Sequence, residues 1–267
     1  MDLSSNFPDS TIAHSSNFVL LTNGVLNIYD NLTERDCRSI LKSGELSSIQ
    51  FGRRFEVSDK TFELINRKLL TIAKAPYLRL ILNGFDAVDN LDCFAQLPNL
   101  KFLLVDMFKN DQLDKINRYL KLKSLRIAGN GISIRPIVEQ TELEEISLAE
   151  KLKDIEVIGS MKNLKRVSFT KVSLKNLDFL LPLKNLEELH FMLGSAPDCS
   201  RLPEIGKIKK LSFTLVPKLT IENLLPINRM KFLKELEFRM QPHLFHLDWL
   251  TNKKIKTKVV KCKNFKQ

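Results

Sequence analysis

Leu122-Lys123-Ser124-Leu125-Arg126-Ile127-Ala128-Gly129-Asn130 opens a pattern that the chain restarts as Leu143-Glu144-Glu145-Ile146-Ser147-Leu148, Leu164-Lys165-Arg166-Val167-Ser168-Phe169 and Leu186-Glu187-Glu188-Leu189-His190-Phe191. Followed backwards it gives Leu100-Lys101-Phe102-Leu103-Leu104-Val105 and Tyr77-Leu78-Arg79-Leu80-Ile81-Leu82. Forwards it gives Ile208-Lys209-Lys210-Leu211-Ser212-Phe213 and Leu233-Lys234-Glu235-Leu236-Glu237-Phe238. The eight starts lie 23, 22, 21, 21, 22, 22 and 25 residues apart. A sustained period of this size marks a chain that stacks one small structural unit on the next. Within each unit the fourth and sixth positions are apolar and alternate with polar ones, the period of a half-buried strand. The segments that follow change period: Val88, Leu91, Phe94 and Leu97; Ile155, Ile158 and Met161; Leu174, Leu177, Leu180 and Leu183; Leu244, Leu247 and Leu250. A spacing of three places side chains on one face of a 3₁₀ turn.

These residues resemble the leucine-rich repeat family, in particular its short-repeat subclass, which includes the bacterial internalins. The resemblance covers roughly residues 46–250 and includes the steps Leu91-Asp92-Cys93-Phe94, Leu177-Asp178-Phe179-Leu180 and Leu247-Asp248-Trp249-Leu250. It implies an α/β solenoid, a horseshoe with a concave parallel sheet and short 3₁₀ or helical turns on the convex side. It also implies a bacterial, non-enzymatic binding protein. One departure is visible: the family places Asn at the ninth position, and here only Asn130 does so, the others being Phe85, Phe108, Lys151, Val172, Gly194, Val216 and Gln241.

Outside the repeats, residues 1–17 are rich in Ser and Asn and are expected to be disordered. Residues 18–45 read as an N-terminal cap. Phe18 to Tyr29 forms a hairpin turning at Asn23-Gly24, and Thr33-Glu34-Arg35-Asp36 starts a capped amphipathic helix. Leu46-Ser47-Ser48-Ile49-Gln50-Phe51 fits the template and precedes a helix-like stretch from Ser58 to Ala75. Residues 251–267 read as a capping strand and lysine-rich tail.

The formal net charge is +11, and seven of those charges are the acid-free lysines 253, 254, 256, 258, 261, 263 and 266. Lys254 to Val259 alternates lysine with β-formers, which fits a closing edge strand protected from pairing; an anionic contact is the competing reading. Nucleic acid is not an expected partner, because the basic charge does not spread along the chain. No apolar run is long enough to span a bilayer, and the N-terminus lacks the composition of a signal peptide. Cys37, Cys93, Cys199 and Cys262 lack paired spacing, which fits a reducing, cytoplasmic compartment; a monomer is expected.

Interior positions are occupied by packing, so contacts with a partner fall to outward strand positions. The expected concave contacts are Phe102, Leu104, Arg126, Ser147, Ser168, His190, Met192, Ser212, Glu237 and Arg239. Glu145, Arg166, Glu188 and Lys210 form a rim whose signs alternate from repeat to repeat. That ladder reads as register control or as a polar rim for a partner. Ile81, Met107, Leu193, Leu215 and Met240 add apolar side chains that the template does not need inside. They mark an exposed patch, or else the N-terminal cap and loops cover them. Catalytic residues, cofactors and metals are not expected. His243 and His246 have no third ligand in sequence, and His190, beside Glu188, has no nucleophile that sequence places. The expected function is binding of a protein partner, as an inhibitor or immunity-type protein that covers a toxin or enzyme. A host-directed secreted effector and an anionic-surface binder acting through the lysines are the alternatives.

Overall fold

The computed structural model describes residues 10–52, 55–82, 88, 90–107, 112–195, 197–244, 246–263 and 265. Among the described residues, thirteen strands follow one another in chain order through a single sheet. The chain divides into two compact units, Met1–Ile127 and Ala128–Gln267. The strand-and-turn period and this topology make the fold a leucine-rich repeat solenoid.

In the first unit, β1 (Thr11–His14), β2 (Phe18–Leu21) and β3 (Val25–Ile28) form an antiparallel meander. Gly24 turns the hairpin at φ +79°, and a Cβ there would lie 2.6 Å from the Glu45 carbonyl oxygen. Residues 11–17 are therefore ordered, contrary to the expectation from composition. The cause is α1 (Glu34–Ser43), whose capping residue Thr33 exchanges hydrogen bonds with Asp36. The Asp36 carboxylate also accepts from Ser15 Oγ and Asn17 Nδ2, both at 3.0 Å, which ties the β1–β2 turn to the helix. Burial works against the charge, yet these bonds hold the Asp36 carboxyl below its usual range.

β3 also pairs in parallel with β4 (Ser48–Phe51), so the parallel stack begins inside the segment expected to be only a cap. Next come α2 (Asp59–Leu64), a π turn (Ile65–Leu69), β5 (Tyr77–Leu82), a 3₁₀ turn (Leu91–Gln96), β6 (Phe102–Met107) and α3 (Leu113–Tyr119). β7 (Ser124–Ser133) straddles the division between the units. The register of β5 corrects the template. Leu78 pairs with Leu103 and Leu80 with Val105, so the fourth and sixth positions are Leu78 and Leu80. The repeat starts at residue 75. A two-residue slip leaves the alternation of faces unchanged, which is why hydrophobicity alone could not detect it.

In the second unit, β8 (Glu145–Lys153), β9 (Arg166–Thr170), β10 (Glu188–Met192), β11 (Lys210–Thr214), β12 (Glu235–Arg239) and β13 (Lys256–Val260) pair in parallel, each with the next. The connections hold 3₁₀ turns at Arg135–Glu139, Ile155–Ser160, Asp178–Leu180, Leu202–Glu204 and Leu225–Arg229, the last preceded by α4 (Ile221–Leu224). Their period-three residues Ile158, Leu177, Leu180 and Leu183 are fully buried. At the sixth template position, Phe169, Phe191, Phe213 and Phe238 stack face to face, with centroids 5.3–5.9 Å apart. Phe179 and Trp249 meet the two ends of this row edge-on.

The ninth position does not hold an amide ladder. Val172, Val216 and Gln241 are buried there, while Asn130 and Lys151 are exposed, because β7 and β8 run on past the point where β9–β12 turn. Phe85 and Phe108 lie outside the described residues. Amide bonds between repeats come instead from the residue preceding the template. Asn163 Nδ2 donates to the Thr141 carbonyl at 2.7 Å, and Asn185 Nδ2 to the Lys162 carbonyl at 3.0 Å.

Candidate functional site

Outward side chains of the second unit fall into three rows running across β8–β13. The first reads Glu145, Arg166, Glu188, Lys210, Glu235 and Lys256, alternating in sign at every strand. Arg166 grips Glu188 with two parallel bonds of 2.9 Å and also meets Glu145. Forked geometry of this kind is stronger than a single exposed pair. The Arg166 guanidinium draws the Glu188 carboxyl down to about 2, against a smaller opposing effect of burial. Lys210 approaches Glu235 at 4.0 Å. Beside this row, Lys165 meets Glu144 at 2.7 Å and Lys209 meets Glu187 at 2.6 Å. The rim residues are therefore engaged with one another.

The second row is Ser147, Ser168, His190, Ser212, Glu237 and Lys258. His190 Nε2 lies 3.3 Å from a Glu188 oxygen, and His190 Nδ1 lies 2.6 Å from Ser212 Oγ. A carboxylate only accepts, so the proton sits on Nε2 and the Ser212 hydroxyl donates to Nδ1. Burial pulls the His190 pKa down, outweighing Glu188. Sequence reasoning found no nucleophile for this histidine, although Ser212 occupies the same template position one repeat later. The resulting Ser–His–Glu chain has the composition of a hydrolytic constellation. Acyl transfer needs free donors aimed at the developing oxyanion. Here the neighbouring strand amides are taken up by the parallel ladder on both sides. Ser212, expected as a contact residue, is buried beneath this network at 9% exposure. Glu237 is likewise spent internally, on Arg239 at 2.7 Å and Lys258 at 3.3 Å.

The third row reads Ala149, Thr170, Met192, Thr214, Arg239 and Val260, and Met192 is its exposed large apolar side chain. Met192 is 41% exposed, and Leu193 and Met240 at the strand exits are 41% and 43% exposed. Met107, expected to join them, is fully buried in the first unit.

That unit carries a different face. Tyr77 and Phe102 pack with centroids 5.4 Å apart, and the Tyr77 hydroxyl shares a 2.7 Å hydrogen bond with Ser124. The Arg126 guanidinium lies over the Tyr77 ring at 4.6 Å. With Leu46, Lys74, Arg79 and Leu104 they line an open cleft of about 490 Å³. Phe102 and Leu104 are half-buried, and Ile81 belongs to a neighbouring hollow of about 410 Å³ that includes Tyr29 and Phe51. The hairpin segment thus lies beside Ile81 and leaves Phe102 at the cleft.

Among the described residues no group of three potential ligands could hold a metal. His246 faces Asp248 at 3.3 Å. Burial pushes the Cys37 thiol up to about 11 and those of Cys93 and Cys199 up to about 12, away from the reactive thiolate. No described helix is long and apolar enough to cross a membrane.

No family model matches the chain, and no curated protein matches it. Among solved structures, an internalin from Listeria monocytogenes is similar at 13% identity over 96% of this chain and 92% of that one, with a TM-score of 0.49. The leucine-rich repeat ectodomain of the Arabidopsis receptor kinase HAESA, solved with a peptide hormone ligand, is similar at 15% identity and a TM-score of 0.48. The match covers 94% of this chain but only 44% of the receptor chain.

Proposed function

We propose that this chain is a non-catalytic binding module that receives a protein partner on its outward strand faces and acts by covering it. The observation that carries the reading is the contrast between satisfied charge and unsatisfied apolar surface. Rim charges pair with one another, while Met192 stands exposed and the Phe102–Leu104 shelf lines an open cleft. Interfaces draw their energy from such apolar and aromatic anchors, with polar groups setting orientation. His190 then serves as a fixed polar contact, held by Ser212 and Glu188. A cytoplasmic toxin or enzyme whose site is occluded is the partner this mode of action fits.

The test is a nuclease-treated affinity pull-down at physiological salt, with Leu104→Glu and Met192→Glu introduced singly and together. The expected result is one stoichiometric protein, lost in the double variant while its circular dichroism and melting curve match the parent. Retention by a folded double variant would overturn the reading. Loss of the partner on nuclease treatment alone would move the contact to the lysine-rich end, where affinity should fall steeply with salt.

A further inference from the structure

We propose that the cleft between β4 and β7 in the first unit is a subsite for an acidic segment of the partner, one in which an Asp or Glu adjoins a large apolar side chain. The inference rests on the binding reading above and names the chemistry of one of its contacts. The other three described arginines on outward strand positions each meet a carboxylate: Arg79 meets Asp106 at 3.6 Å, Arg166 meets Glu145 and Glu188, and Arg239 meets Glu237. Arg126 is the exception among the described outward arginines. Its guanidinium rests on the Tyr77 ring at 4.6 Å, which orients the fork without neutralising it. Lys74 and Arg79 line the same cleft, and its lining contains no acid. Arg79 is only loosely held by Asp106 at 3.6 Å, and Lys74 by Glu45 at 3.5 Å in a pair whose side chains are 80% and 84% exposed. The floor between these cations is apolar, made of Phe102, Leu104 and Tyr77. A volume of about 490 Å³ lies in the range that encloses a small ligand or a few side chains. A carboxylate can therefore take the open fork of Arg126 while the adjoining apolar side chain covers Phe102 and Leu104.

The hydroxyl contact of Tyr77 with Ser124 fixes the shelf before anything binds, which lowers the ordering cost of association. Selection of a displayed library of random twelve-residue peptides on the full chain tests the assignment, with Arg126→Gln and a fluorescent twelve-nucleotide oligothymidylate run in parallel. Arg126 is exposed, so the substitution leaves the core intact, and a matching melting curve verifies this. The expected result is enrichment of peptides with an acid next to an aromatic or aliphatic residue. Their affinity should fall at least tenfold on Arg126→Gln and equally when their acid is changed to the amide. Enriched peptides without acid, peptides indifferent to Arg126→Gln, or no enrichment at all would overturn the inference. So would an oligothymidylate that binds through Arg126 in their place. A protein partner captured by the parent and still bound by Arg126→Gln would sink this subsite while leaving the wider binding function standing.

Discussion

Lys171, Leu193, Leu215 and Met240 each follow the last residue of a strand, and each has a positive φ between 46° and 60°. The amide of each donates to the carbonyl of the last residue of the next strand, at 2.8–3.0 Å. The left-handed residue thus ends one strand and stitches it to its neighbour. Side chains with a Cβ adopt this conformation at a cost of about 1–2 kcal/mol. Leu193→Gly should therefore stabilise the chain by about 0.5–1 kcal/mol once the added freedom of the unfolded chain is subtracted. Leu193→Ile, branched at Cβ, should destabilise it by about 1 kcal/mol or more. Urea denaturation of both variants distinguishes the two directions. Acid acts through the network at His190 and Glu188. Glu188 is depressed to about 2, so its contribution is complete above its ordinary value of 4.5 and is lost as pH falls through about 2. The folded state also disfavours charging His190, which adds a loss beginning as pH falls below its ordinary 6.5. Arg166→Gln should flatten the acid limb of a stability–pH profile between 4.5 and 2; an unchanged limb would remove Glu188 from the account.

At the scale of the element, each repeat was legible because strand and turn carry different hydrophobic periods. Leu189 and Phe191 point inward two residues apart, whereas Leu177, Leu180 and Leu183 recur every three. Less of the first unit could be read. β3 lies in a hairpin whose local signals are complete without its parallel partner, and only the Leu26–Ile49 pairing reveals its second role. The start of β5 is ambiguous in sequence because Leu78, Leu80 and Leu82 offer two equivalent frames. At the candidate site the sign alternation of the rim was visible in sequence. The isolation of Arg126 was not, since it depends on which acids lie within reach after folding. Asn163 and Asn185 did leave a signal, an asparagine directly before the template leucine. Replacing Asn185 by Ala should cost about 1 kcal/mol, the net worth of one such hydrogen bond. Phe213 lies between Phe191 and Phe238 in the stacked row and is fully buried. Phe213→Ala should cost about 3–5 kcal/mol. In a repeat stack the damage is carried by nearest neighbours, so hydrogen exchange should quicken first in β10–β12 and leave β2–β5 at parental rates. Uniform acceleration would refute this local transmission.

For the molecule as a whole, the outward row from Glu145 to Lys256 has a property that no single repeat possesses. The signs alternate through six strands, so the row distinguishes even from odd. Excising residues 167–188 would set Arg166 beside Lys210, whereas excising residues 167–210 would set it beside Glu235 and preserve the alternation. The mismatch in the first case is a domain wall in the sense used for magnets. Reversing Lys210 merely moves it one strand along, beside Glu235, and only reversing every charge beyond the break carries it off the end. Because like charges repel less when screened, added salt should stabilise the chain with the single excision more than the chain with the double one. Lengthening or shortening of this array is thereby biased towards steps of two.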